Sequence, residues 1–473
     1  MHRQVNVAIV GGGPAGMAAA VVLGNAGVDA VLLDMYPQLG GHYFKQSPAE
    51  FAQTHKPADQ RQHEFVDLRS QVDESGVDIL YQTAIWGIFP DENGDGSGYT
   101  IRLQTPQPIK TVEAKVLLLA PGSYDRPMVF PGWHLPGVIT PGGAQMLLKG
   151  HGILPGKRIL VAGSGPLLLA AAAGLAEVGA EVVAVLDTAS QWDGLRKMPR
   201  AFWGQTERIK DAWHYGSALL RKGVPMRFQH AIFRAIGETE VTGVAYGKID
   251  ASGKLLYETE TVVEVDTICA ALGFLPNLAL TRHLGCEHVY DLAVDAFYPK
   301  HDDTFETSIP SVFVAGDVTG IGGKDMAKVQ GQMCAHHVLA RLGKQTAADT
   351  TRHIQTLEPE RQKQARFLDM VHDRLLIRPG LLELVSDETM VCRCEMVQAG
   401  AVRSAIADGA QDLRSVKLRT RCGMGACQGR YCESTVGAIV AQETGVPRDA
   451  AGVSSIRPPI IPVLAEDILV SSA

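Results

Sequence analysis

Apolar runs broken by glycine-rich loops set the rhythm of this chain and predict strand–loop–helix–strand units. Val5-Asn6-Val7-Ala8-Ile9-Val10 is mostly apolar with little alternation, the pattern of a strand covered on both faces. A glycine loop, an alanine-rich helix and a second strand, Ala30 to Leu33, follow it and end at Asp34. The same order recurs from Lys157: a strand to Ala162, the loop Gly163-Ser164-Gly165-Pro166-Leu167-Leu168, an Ala/Leu-rich helix, and a strand from Glu181 that closes on Asp187. A further buried strand, Ser311 to Ala315, runs into Gly316-Asp317, a glycine-rich loop and a helix from about Asp325. Near the end, Val397 to Asp408 reads as a helix, with Val402 and Ile406 one turn apart and Gly409 as its stop. Ser415 to Leu418 reads as a short strand, and a last helix carries Val436, Ile439 and Val440. Met17–Leu33 and Pro166–Leu186 approach transmembrane length, but Asp29, Glu177 and Glu181 inside them favour buried helix–strand units over bilayer spans.

At 473 residues the chain has room for about three domains, and 46% hydrophobic composition is ample for their cores. A net charge of −7 gives no electrostatic case for nucleic acid or an anionic membrane, so the expected partners are proteins or small molecules. The first strand starts too early for a charged segment and an apolar segment of a secretory signal to precede it, which predicts a cytoplasmic protein. Cysteine use changes the picture more. Cys269, Cys286 and Cys334 are scattered, whereas Cys392, Cys394, Cys422, Cys427 and Cys432 fall in one short segment. In a cytosolic chain such clustering points to metal or redox chemistry rather than disulfides.

The first loop, Gly11-Gly12-Gly13-Pro14-Ala15-Gly16, has the spacing of a dinucleotide site. Gly11 makes the turn, Gly13 lets the backbone approach a pyrophosphate, and Gly16 allows helix and strand to pack closely. Pro14 and Ala15 open the helix, whose N-terminus offers amide donors and a positive dipole end to phosphate. Asp34 is placed to accept from ribose hydroxyls. The Gly316-Asp317 strand resembles the second FAD fingerprint of the glutathione-reductase and thioredoxin-reductase group, in which that Asp binds the ribityl–phosphate region. Leu117-Leu118-Leu119-Ala120-Pro121-Gly122 is similar to that group's strand and turn at the flavin, and Gly40-Gly41 also fits it. The resemblance implies FAD held by both ends of a domain interrupted by an insertion.

The insertion carries the second loop, where Leu168 stands at the third glycine position. A side chain there should push the helix away from the strand and alter the phosphate site around Gly163, Gly165 and Pro166. Asp187 can still receive a ribose. Three readings stay open for this unit: ATP or ADP, NAD(H), or an empty structural site. Arg196, Lys197 and Arg200 nearby read as a solvated basic turn, with phosphate or a partner as the alternative.

Four thiolates can hold Zn(II) or a 2Fe–2S cluster. Structural zinc favours C-x2-4-C knuckles on both sides, whereas this segment pairs Cys392-Arg393-Cys394 with Cys427-x4-Cys432, which favours the cluster. Cys392, Cys394, Cys427 and Cys432 are the expected ligands. Cys422 is set aside because a Gly-Met-Gly turn separates it from Cys427.

Pro131-Gly132-Trp133-His134-Leu135-Pro136-Gly137-Val138, Gly143-Ala144-Gln145, the Gly163–Leu168 loop and Thr420-Arg421-Cys422-Gly423-Met424-Gly425-Ala426-Cys427-Gln428-Gly429-Arg430-Tyr431-Cys432 together resemble one family over nearly the whole chain. It is the FAD-containing α subunits of dye-linked amino-acid and opine dehydrogenases, related to subunits of hydrogen cyanide synthase and D-hydroxyproline dehydrogenase. In that family Leu168 is a usual feature, and the terminal segment is similar to a bacterioferritin-associated-ferredoxin module. The resemblance implies an electron-transferring subunit of a hetero-oligomer. Substrate oxidation would fall to a DAO-type β subunit with its own flavin, and the further partners would be an electron acceptor and a small γ subunit. A self-sufficient NAD(P)H-dependent FAD/iron–sulfur reductase is the competing reading, and no catalytic residue is nominated. One departure is His42, where the family commonly has Gln after Gly40-Gly41; it reads either as a packing histidine or as a group at the flavin.

The fold class expected is α/β: two Rossmann-like domains of the thioredoxin/glutathione-reductase kind, the second inserted in the first, plus a small α-rich 2Fe–2S domain. The expected borders are 1–140 with 270–345 for FAD, 141–269 for the second nucleotide unit, 346–388 for a helical linker, 389–447 for the cluster domain and 448–473 for a tail.

Overall fold

The computed structural model describes residues 2–46, 60–91 and 98–470. The apolar runs form two sheets, each covered by helices. In the first, His2–Val10 lies between Ala30–Leu33 and Thr111–Leu119, parallel to both, with Val7 opposite Ala30 and Val116. Thr111–Leu119 divides its outer edge between two partners. Its first half pairs antiparallel with Tyr99–Gln104, and its last three residues pair parallel with Val312–Val314. That junction brings the Gly316-Asp317 turn from the far end of the chain beside the Gly11 loop. The helix Pro14–Asn25 crosses the helix Gly323–Arg341 closely, because a Cβ on Gly331 would lie 2.1 Å from the Ala15 carbonyl oxygen.

In the second sheet Arg158–Ser164 pairs parallel with Glu181–Asp187 on one side and Thr267–Pro276 on the other. The two chain crossings between the units hydrogen-bond to each other. Ser123–Pro127 leaves the first unit and pairs antiparallel with Thr267–Pro276, Tyr124 opposite Leu275. The border expected between 269 and 270 therefore falls inside a strand, and Ser123–Pro127, assigned from sequence to the FAD unit, completes the second sheet. The physical reason is that two extended crossings have backbone groups to satisfy, and each is the other's nearest partner.

Leu168 is 2% exposed and packs with Ile159, Val161 and Ala172 between helix and sheet. At the first loop a Cβ on Gly16 would meet the Gly11 carbonyl oxygen at 1.9 Å, so only glycine closes that gap. With leucine in the equivalent place the second helix begins one residue later, at Leu167 rather than at the position of Pro14, and Ala170 N reaches Pro166 O over 3.4 Å. Leu168→Ala should cost about 2–5 kcal/mol through the cavity it leaves, read as a lower midpoint in denaturant.

The linker is the helix Ala347–Leu375, capped by Thr346 and Asp349, followed by a 3-10 turn at Pro379–Leu384. The terminal domain has a two-stranded ladder, Met390–Cys392 with Val397–Gln398, and helices Ala399–Ala407, Leu413–Thr420 and Glu433–Thr444. The strand expected at Ser415 to Leu418 is helix instead. Asp412 and Ser415 form a reciprocal capping box, which satisfies the first amides and overrides the short apolar alternation. Leu381, Leu384 and Val385 share one core with Val391, Val402, Val440 and, across the interface, Phe130 and Trp133. Trp133 Nε1 donates to the Met390 carbonyl, tying the two domains. The segment beyond 448 also returns to the body: Ile460 is buried, its N–H bonds to Trp86 O at 2.9 Å, and Asp467 pairs with Lys110 at 2.9 Å.

Candidate functional site

At the first loop, Asp34 ends its strand with both carboxylate oxygens in use, accepting from Gly12 N at 2.5 Å and Tyr36 N at 2.7 Å. Burial pushes its carboxyl above the ordinary range, against those donations and the charge of Lys45. Gly40 N bonds to Gly12 O at 2.8 Å, so the 40–41 loop folds over the glycine turn. Gly41 needs its left-handed φ of 59°, and a Cβ on it would lie 3.0 Å from the Gly13 Cα. Around Gly13, by contrast, a Cβ would meet nothing nearer than 4.0 Å among the described residues. The backbone is thus cradled on one side and clear on the other, as a pyrophosphate requires. The Pro14 and Ala15 turn follows directly.

The distant half of the site arrives as expected. Asp317 accepts from Ser123 Oγ at 2.8 Å and from Gly322 N and Gly323 N at 3.1 and 3.2 Å, which aims its carboxylate at the loop before the helix. Gly316 has φ 78° and donates its N–H to Gln330 Oε1 at 3.1 Å. Gly122, φ 72°, turns the middle strand, its carbonyl accepting from Asn277 N at 2.9 Å. The glycine cradle and these aligned carboxylates fit FAD. Asp317→Ala removes a half-buried acceptor and should weaken FAD binding by about 1–3 kcal/mol, read by flavin retained through dialysis.

His42 lies in this neighbourhood, with Nε2 3.3 Å from the Tyr36 hydroxyl and Lys45 3.7 Å over the Tyr36 ring. Burial holds its imidazole below the usual value, opposed by the charges of Asp125, Asp317 and Asp34. Asp125, absent from the sequence reading, accepts from Gly142 N at 2.8 Å. It sits on the crossing strand just past Gly122, and no local spacing advertises it.

In the second unit Gly163 and Gly165 take φ 138° and 98° behind Pro166, and Asp187 closes its strand as expected. Asp187 accepts from Ala189 N at 2.9 Å and from Arg374 Nη2 at 2.6 Å. Lys197 of the basic turn pairs with Asp369 and Asp373 at 3.0 and 2.9 Å, while Arg196 and Arg200 line a cavity with Arg366.

The terminal cysteines converge. The sulfurs of Cys392, Cys422 and Cys432 all lie within 4.8 Å of one another. Cys394 and Cys427 hydrogen-bond to each other beside them, and the charge of Cys392 reaches Cys394. The Gly-Met-Gly turn does not carry Cys422 away from the group. Arg421 ends its helix in the left-handed region at φ 64°, Met424 N returns to Arg421 O at 2.9 Å, and Gln428 and Gly429 also take positive φ. The loop therefore doubles back and sets Cys422 opposite Cys432. Hydrogen bonds from Cys422 and then Cys432 lower the Cys392 thiol below its ordinary range, which favours the thiolate that binds metal. An all-thiol donor set fits a 2Fe–2S cluster.

This loop also touches the flavin half. Tyr124, two residues past Gly122, lines a cavity with Asn277, Gln428, Gly429 and Arg430. Arg282 pairs with Glu433 at 2.7 Å, both largely buried, immediately after Cys432.

A dinucleotide cradle and a thiol cage on one chain define a flavin- and iron–sulfur-type oxidoreductase. The chain belongs to the pyridine nucleotide-disulphide oxidoreductase family, whose model matches residues 5–338, and carries a BFD-like [2Fe-2S] binding domain over residues 390–442. It is 31% identical to an opine oxidase subunit of Agrobacterium tumefaciens (strain Ach5), over 97% of this chain and 90% of that one. It is 29% identical to hydrogen cyanide synthase subunit HcnB of Pseudomonas aeruginosa, over 96% of each chain. Among solved structures, L-proline dehydrogenase from P. horikoshii superposes with TM-score 0.69 at 20% identity, covering 99% of this chain and 80% of that one, a likeness of fold. The expected fold class and the recognised family hold, and the protein is a flavin-dependent oxidoreductase with FAD and a 2Fe–2S cluster. Among the described residues no helix is long and apolar enough to cross a membrane.

Proposed function

We propose that this chain is the electron-carrying subunit of a heteromeric dehydrogenase that oxidises an amino acid, imino acid or opine on a separate FAD-containing β subunit. The observation that supports it is the placement of the Cys422–Cys432 loop against the strand that leaves the flavin turn, joined by Arg282–Glu433. Relatives whose names call them subunits of opine oxidase and hydrogen cyanide synthase point the same way. FAD supplies an acceptor of one or two electrons, and a 2Fe–2S cluster supplies a one-electron carrier. The residues' share is to hold the two groups close. Gly11 to Gly16, Asp34, Gly41, Gly122 and Asp317 seat the flavin, and His42 lies beside it. Cys392, Cys394, Cys427 and Cys432 hold the cluster, with Cys422 as competitor for one place. An electron acceptor, a small γ subunit and a cytoplasmic setting complete this reading, with the domain borders placed as the sequence suggests except at the shared strands.

The test is anaerobic. Co-expressed with a DAO-type β subunit, the chain should support amino-acid-dependent dye reduction, and NADH alone should bleach the isolated flavin slowly or not at all. Fast stoichiometric bleaching by NADH or NADPH would replace this reading with the self-sufficient reductase.

A further inference from the structure

In a Rossmann unit the pyrophosphate sits over the second glycine at the helix N-terminus, and the acid ending the second strand takes the ribose. Those two places in the second unit are Gly165 and Asp187, and both are already occupied by this chain. The end of the linker helix lies across them. Arg374 Nη2 donates to Asp187 Oδ2 at 2.6 Å, while its Nη1 donates to Ser190 O at 3.2 Å. Leu375 fills the glycine side: a Cβ on Gly165 would lie 2.6 Å from its Cδ2, and one on Gly273 would lie 3.1 Å from the same atom. Arg378 secures the segment, donating to Thr188 O at 2.8 Å and to Asp193 Oδ2 at 2.6 Å. Met370 closes the rim, its carbonyl oxygen 2.9 Å from the Cβ position of Gly194. The first unit is the internal comparison. There, among the described residues, the position over Gly13 is clear to 4.0 Å, and Asp34 accepts from the backbone amides of Gly12 and Tyr36.

We infer that residues 370–378 are the resident occupant of the second nucleotide site, with Arg374 in the ribose place and Leu375 in the pyrophosphate place. While the segment is docked, neither a dinucleotide nor ATP engages Gly165 and Asp187. The inference deepens the reading that electrons do not enter from a nicotinamide, and gives it a steric cause on this chain. The occupant also has a mechanical connection. Four residues beyond Leu375 the chain enters the 3-10 turn whose Leu381 and Leu384 lie in the core shared with the cluster domain. The occupant and the thiol-bearing domain are thus joined through one shared core.

Binding, rather than turnover, tests this, so it can fail while the proposed electron-carrying role stands, and the reverse. The FAD-loaded full chain is titrated calorimetrically with NADH, NADPH and ATP, alongside Arg374→Ala/Leu375→Ala and the milder Leu375→Ala. The wild type should show no saturable binding below millimolar nucleotide. The double variant should bind at least one of the three more than tenfold more tightly, and Leu375→Ala should shift the same way. Hydrogen exchange at 370–378 should rise when nucleotide binds. Two results would overturn the inference. One is micromolar wild-type binding with exchange at 370–378 unchanged. The other is no gain in either variant while flavin content and melting midpoint match the wild type.

Discussion

Cys392→Ser leaves a chain that retains FAD but loses both iron and acid-labile sulfide. Cys392 lies at the centre of the converging group, where hydrogen bonds from Cys422 and Cys432 lower its thiol below the ordinary range. A serine hydroxyl has no comparable tendency to ionise or to bind iron. Metal binding of this kind requires deprotonated ligands and draws on folding energy, so losing one ligand is felt across the site. Iron content should fall nearly to zero, and the visible band of the cluster with it. The domain around the site should survive, because Val391, Val402, Ile439 and Val440 form a core without help from the metal. Flavin absorbance is the control, since its cradle lies on the other sheet. Cys427→Ser and Cys422→Ser then divide the remaining places. Loss with Cys427→Ser and tolerance of Cys422→Ser keeps the proposed four ligands; the opposite pair of results moves the fourth place to Cys422. Acid should release the cluster, because metal binding needs deprotonated sulfurs and protons compete for them as pH falls.

Gly13→Val and Gly16→Val separate binding from folding at the first loop. At Gly13 the Cβ position is clear of the described residues to 4.0 Å, so valine fits the apoprotein and occupies the volume the pyrophosphate needs. The expected product is a folded chain retaining less than about a tenth of its flavin after dialysis, equivalent to more than ~1.4 kcal/mol. At Gly16 the Cβ would lie 1.9 Å from the Gly11 carbonyl oxygen. That contact is backbone, so helix and strand must part, at about 1–3 kcal/mol or more. Gly16→Val should lower the melting midpoint even of flavin-free protein, whereas Gly13→Val should not. Full flavin occupancy in Gly13→Val would remove the first loop from the cofactor site.

Much of this protein is written in short stretches of chain. The strand–loop–helix–acid order at Gly11 to Asp34 and at Gly163 to Asp187 is local chemistry: glycines where backbone must turn or be approached, apolar residues where both faces are covered. The Gly316-Asp317 turn was legible for the same reason, although its place beside Gly11 depends on a strand shared with Thr111–Leu119. Tertiary structure decided what depends on residues far apart. The path of the Cys422–Cys432 loop rests on left-handed turns at Arg421 and Gln428, neither a glycine, so composition gave no sign that Cys422 returns to the group. Asp412 and Ser415 turned an expected strand into helix through a reciprocal cap whose geometry outweighs a weak apolar alternation. The crossing strands Ser123–Pro127 and Thr267–Pro276 found each other because extended backbone must be hydrogen-bonded somewhere. Arg374 lies 187 residues beyond Asp187; no periodicity in the linker announces that its last turn enters a nucleotide site. Local sequence determined which units form and which could hold a cofactor, since those properties depend on neighbours a few residues apart. Only the packed chain decided which thiols meet and which site is closed, because both depend on side chains brought together from distant segments.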